Sequence, residues 1–161
     1  MPANPVKQTL PIIYISLIMG ISMFAGFALF VRRDDPWGQA ELLGYLGLAF
    51  AFVTIVLHLI VPSFVSATSI KQLDREAFLA LSADQQDEQL SVIFQTSKIV
   101  AGALLEGGAF FNLIAFLTEG GSINLLMAGV LLLNLILGFP TPNRIDHWLE
   151  DQKNLMQMRR S

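Results

Sequence analysis

Glu106 is the residue of this chain best placed to do chemistry, because it is the one formally charged side chain inside the apolar stretch Ile99 to Leu117. An ionised carboxylate in a bilayer costs about 3 kcal/mol or more, so a protonated acid is the cheaper state unless a cation lies beside it. Such a group suits proton or cation binding. It also suits a neutral acid that hydrogen-bonds between helices and fixes their packing. His58 and Tyr14 each lie about one turn inside their own apolar stretches, and helical rise puts His58 roughly 5 to 8 Å from the depth of Glu106. A cluster of Tyr14, His58 and Glu106 would be an ion- or proton-binding site. Asn112 and Asn134 can bond across helices for about 0.6 to 2 kcal/mol each. Asn112 is about 120° round a helix from Glu106, so the asparagines read as packing groups.

The same residues exclude several chemistries. The chain has no cysteine and two histidines, of which only His58 falls in an apolar stretch. A bis-histidine haem and a carboxylate-histidine metal site therefore lack ligands. No Arg or Lys lies within any apolar span to bind an anionic thiol peptide. There is no glycine-rich phosphate loop followed by Lys and no Ser-His-Asp pattern on a soluble scaffold. A net charge of -3 leaves no basic surface for nucleic acid. The expectation is a protein that is not an enzyme and holds no cofactor or metal.

These residues need a lipid-embedded frame, and the composition supplies it. Of 161 residues, 53% are apolar and 14% charged, with a mean hydropathy of +0.57; soluble domains carry about 25% charged residues. Leu10 to Val31 is a charge-free run of 22 residues, long enough for a hydrocarbon core of about 30 Å. Leu42 to Ile70 is charge-free over 29 residues, its apolar part closing at Pro62. With Ile99 to Leu117 and Ile123 to Phe139, the spans fall at about 10–31, 43–62, 99–118 and 123–140 of a single domain, 1–161. The first span is too long for the apolar core of a signal peptide and reads as an uncleaved helix.

Basic residues set the direction. Lys7, Lys71, Arg75, Lys98, Arg144, Lys153, Arg159 and Arg160 flank one side, and only Arg32 and Arg33 the other, which predicts cytoplasmic N- and C-termini. Between the second and third spans, Ile70, Leu73, Phe78 and Leu81 recur near helical spacing and suit a short amphipathic helix at the membrane surface. Ser82-Ala83-Asp84-Gln85 reads as a capping box, so the third membrane helix should begin near Ala83, several turns into the cytoplasm. Thr141-Pro142 starts a partly apolar segment, 142–158, expected to lie along the headgroups with Trp148 as its interfacial anchor.

The chain also matches itself. A shift of 87 aligns Gln8-Thr9 with Gln95-Thr96, Gly20 with Gly107, and Phe24 with Phe111; a shift of 78 aligns Pro62 with Pro140. The repeating unit is a helical hairpin, and two crossings per unit make the repeats parallel. The expected fold is all-α: a four-helix transmembrane bundle of two parallel-repeated hairpins, with a cytoplasmic extension of the third helix. Because lipid offers no hydrophobic drive between helices, close approach falls to small residues. Gly20, Gly26, Gly107 and Gly108 are the candidates, with the first and third helices at the centre.

Two resemblances follow from these stretches. Gln8-Thr-Leu-Pro-Ile-Ile-Tyr14 with Leu17-Ile-Met-Gly20, then Ala103-Leu-Leu-Glu-Gly-Gly-Ala-Phe-Phe-Asn-Leu-Ile-Ala115 and Phe139-Pro-Thr141, resemble an uncharacterised bacterial family of small four-helix membrane proteins. That resemblance implies a bacterial inner-membrane location and brings no known activity. Leu104-Leu-Glu106 followed by small residues and an aromatic, in a duplicated hairpin, is similar to the proteolipid subunit c of rotary ATPases. It implies a carboxylate that binds a proton or cation.

The sequence thus supports a non-enzymatic accessory or scaffold module of the membrane, meeting a membrane-complex partner or further copies of itself through small-residue helix faces and the cytoplasmic helix. The alternative is a proteolipid-like element in which Glu106 binds an ion.

Overall fold

The computed structural model describes residues 5–34 and 38–158. Asp35, Arg159 and Arg160, which enter the charge count above, lie outside them. Six helices follow one another: α1 (Pro5–Val31), α2 (Leu42–Gln72), α3 (Arg75–Ala80), α4 (Ala83–Glu119), α5 (Ser122–Leu137) and α6 (Pro142–Met158). Among the described residues there is no strand, only an isolated bridge between Gly38 and Gly121.

α4 begins where its cap dictates. The Ser82 hydroxyl accepts from the Gln85 amide while the Gln85 side chain accepts from the Ser82 amide, and 37 residues later Gly120 ends the helix in the left-handed conformation at φ 78°. α2 departs from expectation. It runs through Pro62 for 31 residues instead of ending there. Proline removes one backbone bond, here the one to the His58 carbonyl, a loss that a helix in a bilayer tolerates; the Ser97 hydroxyl of the later helix donates to the carbonyl of Pro62 itself at 2.9 Å and ties this point of α2 to its neighbour. The surface helix expected over residues 70–81 is consequently divided. Its first residues finish α2, and Asp74 caps α3 by accepting from the Glu76 and Ala77 amides.

α1, α2 and α4 are long and apolar enough to cross a membrane, so this is a helical multi-pass membrane protein. α5 is apolar but has 16 residues, ending at Leu137 before Pro140, which gives roughly 24 Å at 1.5 Å per residue. α6 leaves it at 66°. Lys7 at the start of α1 pairs with Asp146 at the start of α6 (2.6 Å), and Arg32 just past α1 bonds the Phe116 carbonyl near the end of α4 (3.2 Å). The start of α1, the α2–α4 connection and α6 therefore sit at one pole, the terminal pole. The two short connections sit at the other, the turn pole.

The halves are not packed as equivalent hairpins. α4 is the central helix, with half of its apolar stretch buried in the protein against 17% for α1 and 11% for α2. α2 is its most extensive neighbour, followed by α5 and α1, whereas α1 and α2 barely touch each other among the described residues. The first helix is thus a peripheral partner, not the co-centre that the small-residue spacing suggested. The close contact of α2 with α4 uses the stripe Gly44, Gly47, Ala51 and Thr54, buried at helical spacing.

At the terminal pole the core is of the soluble kind. Ile145, Leu149 and Met156 of α6 are buried, and each large side chain so covered contributes about 1.5 to 3 kcal/mol. Trp148 packs on Phe94 of α4 with ring centroids 5.2 Å apart. Lys153 pairs with Asp87 at 2.5 Å, and Arg75 donates to the Met156 carbonyl at 2.7 Å. The face of α6 that holds Trp148 is turned onto α4.

Candidate functional site

Glu106 lies mid-way along the apolar part of α4, on the side toward α1. A Cβ built on Gly20 of α1 would stand 3.8 Å from Glu106 Oε1 and 3.8 Å from the Phe110 ring. Those are ordinary van der Waals distances, so the carboxyl lies against the α1 surface without crowding. Glu106 makes no hydrogen bond or ion pair among the described residues.

Tyr14 and His58 do not join it. The buried Tyr14 hydroxyl donates to the Lys98 carbonyl at 2.9 Å, its ring edge-on to Phe139, in space that Gly102 leaves open. His58 Nδ1 lies 3.2 Å from the Ala101 carbonyl on the α2 side of α4, a contact that requires the proton on Nδ1. Each ring is thus held by a backbone carbonyl of α4, about one turn or more toward the terminal pole from Glu106. The structure does not bring the three into one hydrogen-bonded cluster.

The packing candidates separate into two kinds. Gly108 is tight: an added Cβ would stand 2.6 Å from Thr54 Oγ1 and 3.1 Å from Leu131. Gly107 and Gly26 have nothing within 4 Å of that position. Asn112 is buried and donates to the Gly47 carbonyl (2.9 Å) and, within its own helix, to the Gly108 carbonyl (2.9 Å). Among the described residues Asn134 donates only to Val130 of its own helix, at 2.9 Å, and bridges no helices.

Several residues outside the sequence-derived set organise the turn pole. Asn124 donates to the Gly44 carbonyl (2.9 Å) and to Asn112 Oδ1 (3.1 Å), so two asparagines tie three helices together. The Glu119 carboxylate accepts from the amides of Glu41, Leu43 and Gly44 at 2.9, 2.7 and 2.7 Å. It caps α2, whose own N-cap residue Glu41 supplies no side-chain bond. Arg32 in turn serves the carbonyl end of α4. The available signals were the Gly44, Gly47, Ala51, Thr54 spacing and a carboxylate immediately before Gly120-Gly121.

One edge of α4 is unoccupied. Ala103, Gly107, Ile114 and Thr118 are exposed along it. Phe110 turns toward Phe24 of α1 (5.4 Å) and Phe111 toward Phe50 of α2 (5.3 Å), with the empty Gly107 position one turn below both. A separate open cavity of about 680 Å³ lies at the terminal pole between the end of α2 and the start of α4, lined by Gln72, Leu73, Leu81, Gln85 and Gln89 among others. Comparison of the chain with protein-family models, curated proteins and solved structures finds no match.

Proposed function

We propose that this chain is a non-enzymatic accessory or scaffold module of a membrane complex. It is read as four apolar helices in the bilayer, with both termini and the α2–α4 connection in the cytoplasm, and the sequence resemblance favours the inner membrane of a bacterium. The observation that carries this reading is the half-covered state of α4. Over its membrane stretch the central helix is packed by α1, α5 and α2 on one side and bare on the other. At its cytoplasmic end the same helix carries a packed helical unit with a second surface for contact.

The test is a photo-crosslinker placed at Gly107 in native membranes, compared with one at Leu59, which is 68% exposed on the outer side of α2. A discrete protein adduct of defined mass from Gly107 and not from Leu59 is expected. Lipid adducts alone at both positions would overturn the reading. A second reading, proton or cation binding, draws on Glu106 having no donor among the described residues. Glu106→Gln separates the two: lost proton or cation flux with the complex intact would displace the scaffold reading, and an unaltered variant in every assay removes the ion reading.

A further inference from the structure

We infer that the bare face of α4 receives a transmembrane helix of a different protein, one that sets a lysine or arginine against Glu106. This rests on the accessory-module reading and names the chemistry of its partner. α1 and α2 stand on either side of the face without closing over it. Phe110 and Phe111 diverge to the two flanks, and the Gly107 position between them is empty, so an incoming helix can approach the α4 backbone closely.

Charge complementarity selects the occupant. Glu106 sits at the α1 margin of this face with no hydrogen bond or ion pair of its own. Alone in lipid the acid is cheaper protonated, and a basic residue on an incoming helix is what lets it ionise and pair. Among the described residues no cation reaches it. Lys98 is eight residues along α4, roughly 12 Å by helical rise, with its ammonium over the Phe94 ring, and Arg32 is engaged at the turn pole. A second copy would bring another Glu106 and no cation at that depth, since no span of this chain contains Arg or Lys. A heterologous helix with one basic residue near its centre satisfies both the shape and the charge.

The 161-residue chain contains no cysteine, so Glu150→Cys, on the exposed side of α6, gives a single site for a donor dye. The labelled protein is reconstituted in phosphatidylcholine liposomes with acceptor-labelled leucine-rich transmembrane peptides carrying either one central lysine or leucine throughout. Energy transfer is expected to show the lysine peptide bound at least ten-fold more tightly. Glu106→Gln should abolish that preference, Gly107→Leu should weaken binding of the lysine peptide, and Gly26→Leu, at an equally open glycine, should leave it unchanged. Equal binding of the two peptides to the unsubstituted protein overturns the inference. So does a lysine preference that survives Glu106→Gln, or transfer between two labelled copies that Gly107→Leu abolishes. A missing lysine preference beside a protein adduct at Gly107 would refute the partner's chemistry alone, whereas lipid-only adducts would remove the module reading as well.

Discussion

Replacing the neighbouring glycines 107 and 108 by alanine should change stability in opposite directions. At Gly107 a methyl group meets nothing within 4 Å. The substitution should therefore yield only the helix-propensity gain of alanine over glycine, about 0.5 to 1 kcal/mol. At Gly108 the same methyl group would stand 2.6 Å from Thr54 Oγ1, 3.1 Å from Leu131 Cδ1 and 3.3 Å from Thr54 Cβ. Leu131 can rotate its end aside, but the Thr54 hydroxyl is held at 2.9 Å on the Ala51 carbonyl of its own helix, so α2 must retreat from α4. Overpacking of this kind costs about 1 to 3 kcal/mol, which leaves a net loss of about 1 to 2 kcal/mol after the propensity gain. Thr54→Ala removes the shortest contact and leaves one at 3.3 Å, which a shift of a few tenths of an ångström relieves. The double variant should recover about 1 kcal/mol as a coupling energy. Reversible unfolding in mixed micelles, followed by tryptophan fluorescence, measures all four corners of the cycle. A neutral Gly108→Ala, or a loss undiminished by Thr54→Ala, would refute the claim that this contact sets the spacing of α2 and α4.

Asn112→Ala should destabilise by about 1 to 2 kcal/mol in the same assay, because it takes the bond from the Gly47 carbonyl and leaves Asn124 short of an acceptor, while Asn134→Ala should be nearly neutral. Leu149→Ala should loosen α6 by about 2 to 5 kcal/mol of local packing, read as faster proteolysis after residue 141 with α1 to α5 intact. Glu119→Gln should speed hydrogen exchange at the amides of Leu43 and Gly44 relative to those of Ala51 and beyond.

The helices were legible because their causes are local. A capping box, apolar runs of membrane length and a proline at the first helical position each act within a few residues; α4 and α6 begin where those signals stand and α1 ends with its apolar run at Val31, although it starts at Pro5, ahead of that run. Pro62 does not stop α2, because whether a proline ends or merely perturbs a helix depends on its surroundings: in an apolar stretch the loss of one backbone bond costs less than leaving the following groups unpaired. The centre of the bundle was misassigned for a related reason. Small residues such as Gly26 mark surfaces that permit close approach but do not say which are used, and Gly26 faces open space while Gly44 and Gly47 carry the contact. Glu106 was found as a charge in an apolar run. Its separation from Tyr14 and His58 was hidden, because both side chains bond to backbone carbonyls, which every residue offers alike.

The reciprocal capping at the turn pole bears on how the chain is made. The first amides of α2 find their acceptor in Glu119, 78 positions after Glu41, so synthesis at about 5 to 20 residues per second leaves them waiting for roughly 4 to 16 s. During that interval the newly inserted first two helices, which barely touch, have neither the carboxylate nor the α4 surface that later holds them. Their settled pairing is therefore a late event of biogenesis, and a chain interrupted before α4 begins at Ala83 would offer the bilayer two independent helices.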